Sequence, residues 1–365
     1  MGIKEFKILF DNPVKTYSPG ETISGRVILD LDSVKKCRGI KVKVSGKALT
    51  RWARLYAYGT RNVQGREKYL SSIFYIAGGK SVEINLNSGE HIFPFEYVLP
   101  TNLPTSYELK LLNDQAHIRY IVKAIIDWPW KSDNEIEAAF TVISKYDLNA
   151  DPFALCSFQE QIFEERTKTF GIFSSSPPLT ASLSLPFRGY VPGQIIPVSC
   201  NVNNQSGIEI NDIKLRMKMY ATFSSTPFRS IKKIVSKTIV KERMEKIERD
   251  FLSFNHEIIV PPIPPSNIGT TCNIISIAYT IELEVEVNKV LSINLKVSAP
   301  IVIGTIPLAN CLSFANSLSI KISPVYEKST FVVEQLTEEN DTEHTMSLFA
   351  PKYPVYSFTA FQEDK

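Results

Sequence analysis

One short motif occurs twice in this chain, and the repeat constrains the fold more than any other sequence feature. The segment from Tyr17 is Tyr-Ser-Pro-Gly-Glu-Thr-Ile-Ser-Gly, and 173 residues later the segment from Tyr190 is Tyr-Val-Pro-Gly-Gln-Ile-Ile. The same ungapped offset pairs Pro13 with Pro186, Lys15 with Arg188, Ser33 with Ser206, Ile40 with Ile213, Lys41 with Lys214 and Lys43 with Arg216. Solenoid and propeller repeats recur every ~20–50 residues, so this long period predicts a duplicated domain.

A second pair of matching segments supports the duplication. The segments that begin at Leu103 and Ile263 share the pattern aliphatic-Pro-x-Ser, and Tyr120 and Tyr279 follow them in similar apolar runs. The offset of the first pair is 160 residues, shorter than 173. The second copy has therefore lost residues from a loop, where chains tolerate deletions.

The repeated motif predicts a turn between two strands. Proline at the second position of a type II turn fixes φ, and glycine at the third accepts a positive φ. After the first copy, Ile40, Val42 and Val44 alternate with Lys41 and Lys43. Such alternation is typical of a strand with one buried and one solvated face.

The whole pattern predicts an all-β fold of two tandem immunoglobulin-like β-sandwiches with a flexible C-terminal tail. The run Asp147–Pro152 breaks the strand pattern and marks the junction. Residues 240–251 leave two structures open, a helix or a charged hairpin loop. The predicted divisions are an N-terminal sandwich at 1–148, a connection at 149–176, a C-terminal sandwich at 177–308 and an acidic, aromatic tail at 309–365.

Composition and motifs argue against several functional classes. With 365 residues and 44% hydrophobic content, the chain can build two domains with real cores. Its start lacks the apolar core of a signal peptide. The 5 cysteines are widely spaced, which indicates buried thiols in a reducing compartment. The 4 histidines form no metal or catalytic motif. We therefore predict no enzymatic activity, no catalytic or metal-binding residue and no cofactor.

A strongly basic stretch is the first candidate site. Residues 35–68 contain eleven cations and one acid, Glu67, an excess that would attract phosphates or anionic lipid. A plain solvated surface and nucleic acid are the alternatives, since Trp52, Tyr56 and Tyr58 either stack on bases or belong to the core. We predict no nucleic acid as partner. The anion-binding or membrane-binding candidates are Lys41, Lys43, Lys47, Arg51, Arg54 and Arg61.

Seven motifs follow one another over both halves of the chain, namely Tyr17–Glu21, Phe93–Pro100, Ile118–Tyr120, Pro129–Trp130, Gly189–Gly193, Val260–Ser266 and Ile303–Leu308. In this order they resemble the α-arrestin family, the arrestin-domain-containing proteins. The resemblance implies an arrestin fold and a non-enzymatic adaptor in membrane-protein trafficking, endocytosis and ubiquitination. It also implies membrane cargo proteins or receptors as partners, phosphorylated tails or the inner membrane leaflet as the anion, and a cytoplasmic location, peripheral at the plasma membrane or endosomes.

Two other functions compete with this one. One α-arrestin branch inhibits thioredoxin through a mixed disulfide, so a thioredoxin-interacting redox regulator of the same fold is the alternative. The loop that would carry the reactive cysteine, at residues 250–257, contains none here, and Cys272 is expected to be a buried thiol. An extracellular adhesion-type sandwich is disfavoured because the start of the chain does not resemble a signal peptide.

The tail departs from the family pattern. Many α-arrestins carry Pro-Pro-x-Tyr, which binds WW domains of HECT-type ubiquitin ligases, and this motif is absent here. Half-motifs occur instead, and they contain the predicted tail partner-binding residues Pro351, Tyr353, Pro354 and Tyr356. Residues 324–365 carry eight acids and three lysines together with several aromatics, so we predict that the tail docks on the basic body. A tail without any partner is the other possibility.

Overall fold

The first half of the chain folds into a β-sandwich. The structure is a computed structural model that describes residues 2–155, 162–169, 177–226, 231–244, 251–288, 294–309, 318–320, 323–330 and 349–360. The strands of the first sandwich are β1 (Ile3–Phe10), β2 (Thr16–Tyr17), β3 (Thr22–Leu31), β4 (Lys35–Cys37), β5 (Gly39–Tyr56), β6 (Gly59–Gly78), β7 (Ile84–Leu86), β8 (Gly89–Val98), β9 (Tyr107–Leu111), β10 (Asp114–Asp127) and β11 (Asn134–Val142). One sheet has the order β1-β3-β8 and the other β2-β11-β10-β5-β6, with β9 paired to β10.

A short connector leads into the second sandwich. It contains a 3-10 helix, Leu148–Ala150, and the helix α1, Pro152–Leu155. The strands that follow are β12 (Ile162–Lys168), β13 (Leu179–Leu185), β14 (Gly189–Tyr190), β15 (Ile195–Asn204), β16 (Ile210–Ser224), β17 (Lys232–Met244), β18 (Phe251–Ile259), β19 (Ile275–Val287) and β20 (Leu295–Ile303), with α2 (Ile268–Thr271) before β19. Their sheets have the orders β12-β13-β15-β18 and β14-β20-β19-β16-β17. The strand β12 lies inside the segment predicted as the connection and pairs with β13.

The two sandwiches repeat one topology. The order β14-β20-β19-β16-β17 of the second copy matches β2-β11-β10-β5-β6 of the first, and β13-β15-β18 matches β1-β3-β8. The prediction of two tandem β-sandwiches is therefore confirmed.

The alternating pattern of the sequence explains the cores. On β5, Ile40, Val42 and Val44 are all fully buried, and on the equivalent strand β16, Leu215 and Met217 are buried as well. Burying an aliphatic side chain of this size contributes ~1.5–3 kcal/mol. Because every second side chain of the strand points into the core, the side chains between them lie on the outer face of the sheet.

The structure shows neither of the two predicted alternatives, a helix or a charged hairpin loop, at residues 240–244, which are part of a strand. Val240 and Met244 belong to β17 and pair with Met217 and Ile213 of β16. A helix is therefore wrong for residues 240–244, because pairing with the neighbouring strand outweighs the helical spacing of the apolar residues. Residues 245–250 lie outside the described part of the chain, and β18 begins at Phe251.

The repeated Pro-Gly turn has the same geometry in both sandwiches. Gly20 has φ +85° and Gly193 has φ +88°, values that favour glycine over every other residue. In the first copy the side chain of Glu21 accepts the backbone N–H of Ser18, and in the second Gln194 accepts that of Val191. The predicted turn is thus present twice, with its own side-chain brace.

Contacts between the two sandwiches include the following two among the described residues. Beside the connector, Asp147 forms a β-bridge with Ile306, and the backbone N–H of Tyr146 donates to Oγ1 of Thr305 at 2.7 Å. At the other contact, Oγ1 of Thr50 donates to the carbonyl oxygen of Ser224 at 2.9 Å. Both contacts bury backbone polar groups that would otherwise need water as a partner.

Candidate functional site

All six cations predicted as an anion or membrane site lie on the hairpin of β5 and β6. Five belong to β5, namely Lys41, Lys43, Lys47, Arg51 and Arg54, and Arg61 belongs to β6. Even-numbered side chains from Ile40 to Trp52 are buried, so Trp52 is a core residue rather than a stacking surface. Lys43, Lys47 and Arg51 project from the opposite side of the strand. We call these three residues the cationic face.

The cationic face has no counter-ion within the described part of the chain, where no carboxylate lies within ion-pair distance of its three residues. Its direct neighbours are also basic. Lys47 lies opposite Lys68 of β6 and Arg119 of β10, and Lys43 lies opposite Lys123 of β10. Like charges in register repel each other, here most strongly between Lys47 and Lys68, so a bound anion would lower this repulsion.

The cations of β10 differ because carboxylates neutralise them. Arg119 donates two hydrogen bonds to Glu108, at 2.7 and 2.6 Å, in a bidentate pair. Lys123 contacts Glu135 and Glu137, the latter at 2.8 Å. The positive potential of this sheet therefore comes mainly from the hairpin.

Lys41 differs from the cationic face because a buried carboxylate neutralises it. Its Nζ is 2.6 Å from the buried carboxylate of Asp127, which also accepts hydrogen bonds from Arg38 and Tyr75. Burial alone would raise the pKa of Asp127, but the hydrogen bonds from Lys41, Tyr75 and Arg38 outweigh it and hold the pKa below its usual range. Lys41 thus serves a buried ion pair, and we leave it out of the proposed anion site.

The tip of the hairpin combines arginines with exposed apolar side chains. Arg54 and Arg61 stack on the ring of Tyr56, with guanidinium-to-centroid distances of 5.4 and 5.9 Å. Leu55 is 79% exposed and Tyr58 is fully exposed. Aromatic and apolar side chains flanked by arginine are typical of surfaces that enter the headgroup region of a bilayer.

The second sandwich provides an internal comparison for these cations. Arg216 of β16 is the sequence equivalent of Lys43, and it forms an ion pair with Glu284 of β19. Its neighbour Lys214 pairs with Glu286 in the same way. The duplicated strand keeps its cations in both copies, but in the second copy glutamates neutralise them. The unpaired charge of the first copy is therefore not a general property of this strand.

The predicted tail residues are buried. The tail contains β21 (Leu318–Ile320), β22 (Val325–Lys328), β23 (Lys352–Val355) and β24 (Phe358–Ala360), and β22 pairs with β23. All four candidates, Pro351, Tyr353, Pro354 and Tyr356, have buried side chains, and Tyr353 has no exposed surface. In this conformation they cannot contact a partner.

The tail bridges the two sandwiches. The hydroxyl of Tyr353 donates to the carbonyl oxygen of Ser106 in the first sandwich at 3.0 Å. The hydroxyl of Tyr356 donates to the carbonyl oxygen of Thr305 in the second at 2.6 Å. We call the surface that receives this segment the tail site. Its residues are Val14, Ser106, Thr141, Pro192, Gly193 and Thr305.

The contacts at the tail site come from the two tyrosine side chains, from the tail backbone and from the ammonium group of Lys352. The described tail segments 323–330 and 349–360 contain only one acid, Glu327, and two lysines. The other seven acids of residues 324–365 lie outside the described residues, so contacts between those acids and the basic body remain a prediction.

Comparisons with known proteins match both halves of the chain. The family described as arrestin (or S-antigen), N-terminal domain, matches residues 6–149, and its C-terminal domain counterpart matches residues 175–308. Arrestin domain-containing protein 17 of Caenorhabditis elegans is 31% identical over 331 residues, which cover 87% of this chain and 74% of that protein. The chain belongs to the α-arrestin family. Arrestin domain-containing protein 4 of Mus musculus is 26% identical, with 84% of this α-arrestin and 72% of the relative covered.

The described cysteines of this α-arrestin are buried. Cys37, Cys200 and Cys272 are free thiols with at most 2% exposure. Burial raises the pKa of all three, that of Cys200 to about 12. A raised pKa lowers the thiolate fraction and the reactivity of a cysteine. Cys156 and Cys311 lie outside the described residues.

Metal sites and membrane-spanning helices are absent from the described part of this α-arrestin. Across the described ranges, no three histidine, cysteine or carboxylate side chains cluster in a way that would hold a metal ion. No helix within those ranges has the length and apolar character needed to span a membrane.

Sequence reasoning grouped the residues of the cationic face and predicted that the tail docks on the body, but it did not identify the surface that receives the tail. The face is visible because a run of nearby residues carries one sign of charge. The tail site is assembled from five separate segments, and its key backbone position, Gly193, looked only like part of a turn. The signal that points to it is the pair Tyr353 and Tyr356 in a Pro-x-Tyr-Pro-x-Tyr run, which lies well beyond both domains in the sequence.

Proposed function

We propose that this α-arrestin is a non-enzymatic cytosolic adaptor in membrane-protein trafficking, endocytosis and ubiquitination. Its membership of the family supports an arrestin-type adaptor role. The single observation that carries the finer proposal is the β5–β6 hairpin, where unpaired cations and an exposed apolar tip lie together. Its partners would be membrane cargo proteins or receptors at the plasma membrane or endosomes.

The hairpin has the chemistry of an anionic membrane contact. Each basic residue near an anionic membrane surface contributes ~1 kcal/mol of attraction. Lys43, Lys47 and Arg51 would supply that attraction, and Leu55 and Tyr58 would enter the headgroup region. The adaptor would then hold a cargo protein while its hairpin rests on the inner leaflet.

A charge-reversal experiment with a matched control tests this proposal. Lys43→Glu with Lys47→Glu should weaken binding to phosphatidylcholine vesicles containing phosphatidylserine by roughly 30-fold or more, because ~2 kcal/mol of attraction is lost and repulsion is added. The control is Lys232→Glu with Lys241→Glu, which makes the same change in net charge at exposed positions of β17. Sedimentation with vesicles at low and high salt measures both pairs of substitutions.

Three results would contradict the membrane contact, two from the vesicle experiment and one from binding of the same variants to a phosphoserine peptide. Equal losses in both double variants would mean that only net charge matters. Binding that resists salt and survives the Lys43 and Lys47 reversals would remove the electrostatic basis. Loss of binding to a phosphoserine peptide without loss of vesicle binding would assign the face to a phosphorylated protein tail.

The adaptor role itself needs a test in cells. Proximity labelling with the wild-type protein should enrich transmembrane proteins together with ubiquitin ligases, and HECT-type ligases are the class to look for. The chain lacks Pro-Pro-x-Tyr, so such a ligase would bind through the half-motifs or through the cargo. Enrichment of soluble proteins alone would contradict the proposal.

The thioredoxin-related alternative has less support. It requires an accessible, reactive thiol, whereas Cys37, Cys200 and Cys272 are buried and have raised pKa values. Thiol titration of the folded protein would separate the two functions, because a redox role requires at least one thiol that reacts without denaturant.

A further inference from the structure

The tail site is built from both sandwiches around one tyrosine. The ring of Tyr353 is fully buried. Tyr107 of the first sandwich and Tyr279 of the second lie close enough that an ionised hydroxyl on either would interact with an ionised Tyr353. The backbone N–H of Lys352 donates to Oγ1 of Thr141 at 3.2 Å, and its Nζ donates to a backbone carbonyl of the first sandwich at 2.9 Å. Because Tyr353 has neighbours in both sandwiches, it can contact both only while the sandwiches keep this arrangement.

The second anchor depends on a glycine. The backbone N–H of Tyr356 donates to the carbonyl oxygen of Pro192 at 2.9 Å, so the tail continues along the Pro-Gly turn of the second sandwich. A Cβ atom on Gly193 would lie 2.0 Å from the carbonyl oxygen of Tyr356. At the equivalent Gly20 of the first sandwich, the nearest atom to such a Cβ is a methyl of Thr101 at 3.5 Å. The tail backbone therefore lies directly against the glycine of the second turn, an approach that the missing side chain of Gly193 makes possible.

The tail segment is held as a ligand would be held, and not as a strand of either sandwich. Among the described residues, β23 pairs only with β22, and every residue of β22 is exposed. An isolated pair of strands is marginally stable in water. The anchoring therefore comes from the two buried tyrosine rings and a few hydrogen bonds.

We propose that the tail site is a binding site for an extended Pro-x-Tyr-Pro-x-Tyr peptide, which residues 351–356 of this chain occupy as a reversible, tethered ligand. The same tyrosines then have two exclusive uses. While they fill the site they tie the sandwiches together, and only after release can a protein module contact them. A partner that binds the released segment has its apparent affinity reduced by the fraction of molecules in the released state.

A peptide added in trans tests whether the site exchanges its ligand. The probe is a fluorescein-labelled synthetic peptide with the sequence of residues 349–358, and its binding to the full chain is measured by anisotropy. The tethered tail competes at an effective concentration of about millimolar, so wild type should bind the probe weakly. Tyr353→Ala with Tyr356→Ala removes the internal competitor and should tighten probe binding by roughly tenfold or more.

Two glycine substitutions show whether the probe occupies the proposed site. Added to the double tyrosine variant, Gly193→Ala should abolish probe binding because its Cβ meets the peptide backbone. Gly20→Ala imposes a similar positive-φ strain on the equivalent turn, away from the tail, and should leave probe binding unchanged. Equal effects of the two glycine substitutions would overturn the assignment of the site.

Hydrogen exchange of the wild-type chain gives an independent test. If the tail is a reversible ligand, the amides of Lys352 and Tyr356 should exchange at least roughly 100-fold faster than core amides of β5 and β16, because the segment opens without global unfolding. Protection equal to that of the core would overturn reversibility. Unfolding of the double tyrosine variant, seen in its circular dichroism, would likewise show that the tail is an integral part of the fold.

Discussion

Tyr120 and Tyr279 make the same hydrogen bond at equivalent places in the two sandwiches. Each phenol hydroxyl donates at 2.7 Å to a proline carbonyl on a preceding segment, that of Pro104 in the first sandwich and Pro264 in the second. Both rings are almost fully buried. The pair ties an aliphatic-Pro-x-Ser segment to a core strand twice in one chain.

Removing either hydroxyl should destabilise its sandwich. Tyr120→Phe or Tyr279→Phe leaves a buried carbonyl without its donor, which costs about 1–3 kcal/mol in the free energy of unfolding. Tyr107→Phe is the control, because Tyr107 is equally buried but its hydroxyl has no hydrogen-bond partner among the described residues. Urea unfolding should show losses for the first two variants and none for the control. A loss of similar size in Tyr107→Phe would contradict this account.

Because Lys41 forms a buried ion pair and Lys43 does not, we expect Lys41 to contribute to the stability of the fold and Lys43 to vesicle binding. Lys41→Met should lower the free energy of unfolding by about 2 kcal/mol, because it removes a charged hydrogen bond to the buried Asp127. It should leave vesicle binding unchanged. Lys43→Met should do the reverse, with a stability change within about 0.5 kcal/mol and roughly fivefold weaker vesicle binding. Weaker binding by Lys41→Met in a folded protein would return Lys41 to the anion site.

The contact between the sandwiches at Gly65 has no room for a side chain. A Cβ there would lie 2.2 Å from the carbonyl oxygen of Ser224, and backbone atoms cannot rotate away. Gly65→Ala should therefore cost about 2 kcal/mol and displace the hydrogen bond from Thr50. Gly79→Ala is the control, since the nearest atom to its Cβ is 3.8 Å away. Thermal unfolding midpoints compare the two, and equal midpoints would show that the sandwiches do not need this contact.

His117 predicts a loss of stability in mild acid. Burial, and then the positive charges of Arg119 and Lys47, lower the pKa of His117 to about 3, although Glu108 lies opposite it on β9. The unfolded chain, with a pKa of about 6.5, binds a proton that the native state does not. Stability is complete above pH ~6.5 and falls by up to about 1.4 kcal/mol per pH unit as pH decreases towards ~3.

The substitution His117→Gln isolates this effect. Between pH 7 and pH 5, urea unfolding of the wild type should lose about 2 kcal/mol more than that of the variant, which keeps the other titrating groups. Parallel stability curves would mean that His117 is solvated or already charged in the native state.

Local pattern predicted most of the fold, because alternation and the repeated turn are properties of neighbouring residues. It also placed Lys43, Lys47 and Arg51 on one strand, where their role in binding stays a prediction. It did not separate Lys41 from them, since the deciding partner, Asp127, is distant in sequence and reaches Lys41 only through strand pairing. The helix considered for residues 240–244 was wrong for the same reason, as sheet pairing overrode local spacing.

The two anchors of the tail lie three positions apart, at Tyr353 and Tyr356, yet each is fixed to a different sandwich. Three extended residues span only about 10 Å, and a chain in that state cannot stretch further. The segment therefore sets an upper limit on the distance between the two sandwiches at this junction. Any hinge motion that widens the gap between Ser106 and Thr305 must pull one ring out of its pocket, so domain movement and tyrosine exposure are mechanically one event.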